Sequence, residues 1–178
     1  TMEYCRVRNN YSGFVAGGIY SSGYNGYFNE CIIEGNTGTS QGGSGALIQR
    51  ALITNSIFRN NTIETGYWGG GALSADNITM VNCQLTGNSG GGVKIGGTQS
   101  FLYNVTIVNN FDEYDDGGWD GIPGLYLSYG EAFVMNCIIY GNETNIGMAG
   151  YGDNIAGVTV HYSNIGEGED SIEVDDGD

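Results

Sequence analysis

Short stretches of alternating apolar and polar residues recur along the chain, and most of them end in asparagine or glycine. In "FLYNVTIVNN" (101–110), Phe101 and Tyr103 fall on one face, Asn104 turns the chain, and Val105 and Ile107 then point inward. Alternation over so few residues is typical of half-buried β-strands, and Asn and Gly between strands favour tight turns. No stretch of about ten residues has the 3.6-residue period of a helix. The pattern therefore predicts an all-β chain.

This strand pattern repeats at a nearly regular interval of 22 to 32 residues. Such a repeat indicates a solenoid, because each unit buries its apolar side only by stacking on its neighbours. Each unit holds three short strands, which predicts a parallel β-helix of about six to seven coils with three strands per coil. We expect residues 1–178 to form a single domain that is a segment of a longer array. The second position of the repeated frame is Cys5, Cys31, Ser56, Cys83, Val105, Cys137 and Ser163.

Stacking in register places equivalent residues of successive coils above one another, and two asparagine columns follow. Stacked amides hydrogen-bond along a column and satisfy backbone groups at the bends, so we interpret both columns as structural ladders. The column at the bend before the second frame position comprises Asn55, Asn82, Asn104 and Asn136. The column five residues after that position comprises Asn10, Asn36, Asn61, Asn88, Asn110 and Asn142.

All four cysteines occupy the second frame position, which other copies fill with Ser or Val. A slot that accepts all three residue types requires a small, semi-buried side chain, and free cysteine behaves as a small hydrophobe. The pattern favours reduced, stacked thiols over disulfides. The cysteine count therefore does not indicate a redox compartment.

Five asparagines begin Asn-x-Ser/Thr triplets, which are acceptor sequences for N-glycosylation. Three of the five belong to the predicted ladders, where an inward amide cannot carry a glycan. A chain rich in Asn and Thr also produces such triplets by chance, so we expect most of them to be unmodified. The five are Asn10, Asn60, Asn77, Asn104 and Asn142.

The recurring elements N-C-x-[IL]-x-G-N and G-G-x-[ILV] extend from Tyr4 to about Ile165. They resemble the right-handed parallel β-helix repeats of bacterial extracellular proteins, both in the pectate-lyase-like superfamily and in polymorphic outer-membrane proteins of autotransporter type. The resemblance implies a right-handed β-helix and an extracellular or cell-surface location. It does not imply one function, because this scaffold carries lyases, hydrolases, adhesins and passive stalks.

The net charge of −15 is unevenly distributed. Residues 1–60 contain four arginines and three glutamates, whereas residues 61–178 contain seventeen acidic residues and only Lys94 as a cation. Such a surface repels nucleic acid, which requires a track of Lys and Arg, so we expect no nucleic-acid partner. No run of about 18 apolar residues occurs, which predicts that the chain contains no membrane span.

The residues that related enzymes would need are poorly represented. The lyases of the resembling superfamily use calcium-binding carboxylates with an Arg or Lys base, but Arg8 and Arg59 have no acidic cluster near them in sequence, so we interpret them as solvated surface residues. The Asn-Thr-Asp and Gly-His-Gly motifs of the related hydrolases are absent, and alternation predicts that His161 points outward. A carboxylate pair alone can hydrolyse a glycosidic bond, so catalysis is disfavoured rather than excluded.

The longest insertion, "NNFDEYDDGGWDGIPG" (109–124), is the best candidate site, because long loops carry function more often than tight turns. Carboxylates on glycine-rich turns suit Ca²⁺, although the spacing is not that of an EF-hand. Aromatic residues between the acids suit the faces of sugars. The alternative is a solvated acidic loop whose Trp119 packs on the coil. The predicted calcium ligands are Asp112, Glu113, Asp115, Asp116 and Asp120, and the predicted sugar-binding aromatics are Tyr114 and Trp119.

A second loop, "NTIETGYWGGG" from Asn61, places Tyr67 and Trp68 at the same corner two coils earlier. Two coils are separated by about 10 Å, which is close enough for both loops to line one glycan-binding groove. The alternative is that these aromatics cap an exposed corner.

These observations favour a non-catalytic extracellular or cell-surface β-helix that serves as a stalk, adhesin or fibre segment. Open coil ends are unpaired strand edges, so we expect self-association through them. The alternative is a carbohydrate-active protein, either lyase- or hydrolase-like or a glycan-binding module, that uses the loop 111–120.

Overall fold

The structure is a computed structural model that describes residues 1–39, 43–64, 71–111, 124–142, 144–149, 156–166 and 172–175. Every regular element within these ranges is a β-strand, which confirms the predicted all-β class. The strands follow the alternation of the sequence. In Ala51–Thr54, for example, Ala51 and Ile53 are buried whereas Leu52 and Thr54 face outward.

The strands form three seven-stranded parallel sheets and one short three-stranded sheet. Sheet 1 contains Met2–Glu3, Gly26–Asn29, Ala51–Thr54, Thr79–Val81, Gln99–Tyr103, Gly130–Met135 and Ala156–His161. Sheet 2 contains Arg6–Arg8, Ile32–Glu34, Ile57–Arg59, Gln84–Thr86, Thr106–Val108, Ile138–Tyr140 and Asn164–Ile165. Sheet 3 contains Ile19–Ser21, Ala46–Gln49, Leu73–Asp76, Val93–Gly96, Leu125–Leu127, Ile146–Ala149 and Ile172–Asp175. The short sheet contains Tyr11–Ser12, Thr37–Gly38 and Thr62–Ile63.

The chain visits sheets 1, 2 and 3 in turn and then returns to sheet 1, so it winds as a parallel β-solenoid. Each strand pairs in register with the equivalent strand of the next coil, as Phe58 does with Leu85 and Leu85 with Ile107. Among the described residues, the first and last strands of each seven-stranded sheet have a neighbour on one side only. About five turns are therefore stacked on both sides, and the predicted six to seven coils is slightly too high a number for complete turns.

A single residue in the left-handed conformation forms each corner between sheets 1 and 2. Its φ angle lies between 50° and 55° in every coil, and asparagine tolerates this region better than most residues because its short polar side chain bonds locally. The need for this conformation explains the asparagine that precedes the cysteine slot in four coils. The seven residues are Tyr4, Glu30, Asn55, Asn82, Asn104, Asn136 and Tyr162.

Aliphatic side chains from the three main sheets fill the interior of the coil. Ile53, Met80 and Leu102 stack inside sheet 1 as successive members of one column, and each is fully buried. Equivalent columns line the inner faces of sheets 2 and 3. Burial of each such side chain contributes about 1.5–3 kcal/mol to folding, so the stacked columns are the main source of stability.

The cysteine slot lies on the inner side of the corner between sheets 1 and 2. All four cysteines are free thiols, as predicted, and Cys31, Cys83 and Cys137 are buried. The slot side chain of one coil accepts a hydrogen bond from the slot amide of the previous coil: the Cys31 N–H donates to Ser56 Oγ at 3.1 Å, and the Val105 N–H donates to Cys137 Sγ at 3.4 Å. Burial raises the pKa of Cys83 to about 11 and also raises that of Cys137.

Candidate functional site

The loop residues predicted to bind calcium or sugar all lie outside the described residues. Of the loop 111–120, the structure describes Phe111, which is 40% exposed and bridges to Ser89 of the preceding coil. Its carbonyl accepts hydrogen bonds from the Gly90 and Gly91 amides. The residues concerned are Asp112, Glu113, Asp115, Asp116, Asp120, Tyr114 and Trp119, together with Tyr67 and Trp68 of the second loop.

The inner asparagine column forms a continuous ladder through the interior. The backbone N–H and the Nδ2 of Asn61 both donate to Oδ1 of Asn88, each at 3.0 Å. Asn61 Nδ2 also donates to the Ile33 carbonyl of the previous coil at 3.1 Å. The same bifurcated pattern recurs at each step from Asn10 to Asn142, so the ladder ties these six coils to one another.

Asn145 ends the ladder, although its sequence position outside the column gave no signal for this role. Its Oδ1 accepts from Asn142 Nδ2 at 3.1 Å, and it is only 7% exposed. The next position of the column is Gly168, which has no side-chain acceptor. Asn145 directly precedes Ile146–Ala149, the sheet 3 strand of the same coil, and supplies the missing oxygen.

In four of the coils, the residue directly before the sheet 3 strand is a glycine that faces the ladder. A Cβ on Gly45 would lie 2.9 Å from Asn61 Nδ2 and 2.4 Å from the Ala72 carbonyl. The single glycine directly before each of these four strands of sheet 3 is therefore required by this close approach. The equivalent residues are Gly18, Gly92 and Gly124.

The outer asparagine column has a different orientation from the one predicted. The sequence interpretation placed Asn104 in an inward ladder, and this is wrong: Asn55, Asn82, Asn104 and Asn136 are all exposed. A left-handed residue directly before the buried slot directs its own side chain to solvent. The amides nevertheless form a chain, because Asn104 Nδ2 donates to Asn82 Oδ1 at 3.1 Å and Asn82 Nδ2 donates to Asn55 Oδ1 at 3.2 Å.

Three aromatic rings form a cluster on the outer face of sheet 1, beside this outer column. Phe101 and Phe133 pair across adjacent coils with ring centroids 5.3 Å apart and ring planes 19° apart. Phe101 and Tyr103, on one strand, have centroids 6.1 Å apart and planes 9° apart. All three rings are half-buried. Sequence alternation placed Phe101 and Tyr103 on one face, and aligning the repeats at Val105 and Cys137 would also have placed Phe133 beside them.

A carboxylate held by two arginines lies on the outer face of sheet 2. Arg59 Nε donates to Glu34 Oε2 at 2.8 Å, and Arg6 Nε donates to Glu34 Oε1 at 2.6 Å. The Arg6 and Arg59 guanidinium groups also form ion pairs with the same carboxylate. Hydrogen bonds from Arg59, and then from Arg6, lower the pKa of Glu34. Arg59 is a surface residue as interpreted, with 41% of its side chain exposed, but the strand register also brings Glu34 beside it and the two form an ion pair.

The rest of the described surface offers few groups suited to metal chemistry. His161 is exposed, as predicted. Within the described ranges, no three His, Cys, Asp or Glu side chains lie close enough together to hold a metal ion. In the same part of the chain, no helix has the length and apolar character needed to cross a membrane.

Comparison with known proteins gives one result that concerns the fold. A family model described as "Right handed beta helix region" matches residues 1–165. No curated protein and no solved structure matches the chain significantly. The family match agrees with the parallel solenoid and the stacked asparagines of the structure.

Proposed function

The chain belongs to the right-handed β-helix family, and on that premise we propose that it is a non-catalytic scaffold. It serves as a stalk, adhesin or fibre segment outside the cell or at the cell surface. The observation that carries this proposal is the inner asparagine ladder, which runs without a break from Asn10 to Asn145. The ladder is buried from Asn36 onward and gives successive coils the same connection to one another.

Two of the four arginines, Arg6 and Arg59, form structural ion pairs, which supports a non-catalytic role for these two. A lyase needs a base that is free to remove a proton, but Arg6 and Arg59 both donate to Glu34. Their positive charges are directed at a structural carboxylate that stays ionised because its pKa is lowered. The two ion pairs therefore connect three successive coils on the outer face, as the ladder connects coils in the interior.

A depolymerisation screen tests the absence of catalysis. The full chain is incubated with polygalacturonate, alginate and neutral polysaccharides, with and without calcium, and products are followed by ultraviolet absorbance for unsaturated ends and by reducing-sugar assay. We expect no product above a heat-treated control. Cleavage of any of these polymers, lost on substitution of a single acidic residue, would contradict the proposal.

A surface location is tested separately in the source cells. An antibody to the folded chain should label intact cells or the culture medium, and external protease should remove the cell-associated signal. Labelling that requires permeabilised cells would overturn the proposed location.

The alternative function, a carbohydrate-active protein that uses the loop 111–120, rests on the composition of that loop. Calorimetric titration with CaCl₂ tests it, with the double variant Asp115→Asn/Asp116→Asn as the matched comparison. Stoichiometric binding that the variant loses would favour this alternative. Identical traces for the two proteins would count against it.

A further inference from the structure

We propose that Cys5 and Cys31 form a reversible disulfide that links two adjacent coils covalently. Both residues are free thiols in the structure, so the proposal concerns what they become when an oxidant is present. It does not depend on the scaffold role proposed above, and it uses none of the loop residues predicted from the sequence.

Cys5 and Cys31 are the one pair of cysteines that occupies the cysteine slot in two successive coils. Each of the other two cysteines has serine or valine in the slot above it and below it, so no second thiol lies in an adjacent slot. The seven slot residues, all of them described, are in chain order Cys5, Cys31, Ser56, Cys83, Val105, Cys137 and Ser163.

The strand register holds Cys5 and Cys31 directly opposite each other. Glu3 pairs with Asn29 two residues before the slot, and Arg6 pairs with Ile32 one residue after it. Between these pairs, the Ile32 N–H donates to the Cys5 carbonyl at 2.9 Å. Adjacent strands are about 4.8 Å apart, and the Cα atoms of a disulfide are about 4.4–6.8 Å apart. The backbones are therefore already close enough for a bridge.

The Cys31 thiol already leans toward the coil that contains Cys5. Its Sγ lies 3.7 Å from the carbonyl oxygen of Met2, on the preceding coil, and 3.4 Å from that of Asn29 on its own coil. Cys5 Sγ instead donates to the Glu3 carbonyl of its own coil at 3.1 Å. A change of rotamer at Cys5 therefore brings the two sulfur atoms together while Cys31 keeps its orientation.

The two thiols differ in their access to solvent, which sets the order of the reaction. Cys5 is half-buried, whereas Cys31 is completely buried. The oxidant is a small disulfide: the Cys5 thiolate attacks one of its sulfur atoms, its S–S bond breaks, and one small thiolate leaves. The Cys31 thiolate then attacks Cys5 Sγ and expels the second small thiolate. The protein loses two protons and two electrons, and the small disulfide is reduced to two thiols.

Stacking in register also makes the bond easy to reduce. It holds the Cβ atoms about 4.8 Å apart, whereas those of a disulfide are about 3.5–4.5 Å apart. The corner must tighten when the bond forms, and a strained disulfide has a higher reduction potential than an unstrained one. The link therefore forms under oxidising conditions and opens under reducing ones.

Peptide mapping of the folded full chain tests the proposal, with oxidised glutathione as the small disulfide. After oxidation, the remaining thiols are blocked with N-ethylmaleimide in urea, and trypsin then separates Cys5 in peptide 1–6 from Cys31 in peptide 9–50. Mass spectrometry should find these peptides joined with the loss of two hydrogen atoms, and dithiothreitol should release both. Cys83 and Cys137 should carry the blocking group. The linked protein should also unfold at a higher urea concentration than the reduced protein, because the bond restricts the unfolded chain.

Cys31→Ser separates the two steps of the reaction. It should leave glutathione attached to Cys5, because the thiol that expels it is missing. Serine is compatible with the slot, since Ser56 occupies it in the next coil. Cys83→Ser is the matched control and should form the link as the wild type does.

Four outcomes would overturn the proposal. The first is the absence of the joined peptides, and the second is glutathione that stays on Cys5 in the wild type. The third is a disulfide-linked dimer in place of the link within one chain. The fourth is the same mixture of cysteine pairings in the folded chain as in the chain unfolded in urea, which would show that stacking does not select the pair. None of these outcomes bears on the depolymerisation screen, so the two proposals fail separately.

Discussion

The side-chain oxygen of Asn88 accepts two hydrogen bonds from a single residue, Asn61, through its backbone N–H and its Nδ2, both at 3.0 Å. Both asparagines are fully buried. One amide side chain therefore satisfies two donors of the coil before it, and its own Nδ2 donates to the Phe58 carbonyl at 3.1 Å. Because no water reaches these groups, the turn can fold only if the ladder supplies their hydrogen-bond partners.

Asn88→Ala is expected to destabilise the chain severely. The substitution leaves both Asn61 donors and the Phe58 carbonyl buried without these partners, which should lower the free energy of unfolding by at least about 3 kcal/mol. Denaturant unfolding followed by circular dichroism measures the change. Asn82→Gly, at the exposed column one corner away, removes an asparagine whose groups water can replace, and should cost less than about 1 kcal/mol. An equal loss of unfolding free energy in the two variants would show that the buried ladder contributes no more to stability than the exposed column does.

The corner at Asn104 is expected to discriminate among substitutions by backbone conformation. Its φ of 54° is unfavourable for a β-branched residue, so Asn104→Val should cost about 1–2 kcal/mol. Asn104→Gly should cost less than Asn104→Val, because glycine adopts this conformation without steric strain. The two midpoints of denaturant unfolding, measured side by side, check the order. A valine variant as stable as the glycine variant would contradict the strained corner.

The sequence predicted the features that depend on the period alone. The repeated frame correctly predicted the strands, the free thiols and the hydrogen-bonded inner column. Each of these features needs the same kind of residue at the same position of successive coils, so a shift of one residue in a coil would disrupt it. The frame also located Phe101 and Tyr103 on one face. The direction of the Asn104 side chain was missed, because it depends on whether the bend residue lies inside or outside the coil, and both positions preserve the same spacing.

Contacts between residues of different coils could be predicted only from the register of the strands. Arg6, Glu34 and Arg59 lie on three successive strands of sheet 2 and are far apart in sequence, so their ion pairs follow only from the alignment of those strands. Asn145 was missed for another reason: it replaces the ladder residue of the next coil from a position that belongs to no column. Local exceptions of this kind leave no trace in a repeat pattern.

Acid is expected to weaken the contact between Glu34 and its two arginines. Because the folded-state pKa of Glu34 lies below its usual value of 4.5, the ion pairs stabilise the fold above pH 4.5, and this contribution is lost as the pH falls through the lowered pKa. Glu34→Gln should therefore be less stable than the wild type at pH 7, and the difference should shrink below pH 4.5. Thermal unfolding between pH 7 and pH 2 measures it.

Glu131→Gln is the matched control for this acid dependence. It removes a carboxylate that accepts from Gln99 instead of from an arginine. If the Glu131 and Glu34 variants differ from the wild type by the same amount at every pH, the two arginines contribute nothing specific.

Alkali is expected to act through Cys83. Burial raises the pKa of this thiol from about 9 to about 11, so the protonated form stabilises the fold below pH 9, and that contribution is lost as the pH rises from 9 to 11. A shift of about two pKa units corresponds to roughly 2–3 kcal/mol of folding free energy, lost once the pH exceeds the raised pKa.

Cys83→Ser should be nearly as stable as the wild type at pH 7, because Ser56 occupies the same slot in the preceding coil and donates to the Thr54 carbonyl. The variant should lose less stability than the wild type between pH 9 and 11, as measured by denaturant unfolding. Cys5→Ser, at a half-buried copy of the slot, should decline as the wild type does, and an identical decline in the Cys83 variant would show that ionisation of the buried thiol is not the cause.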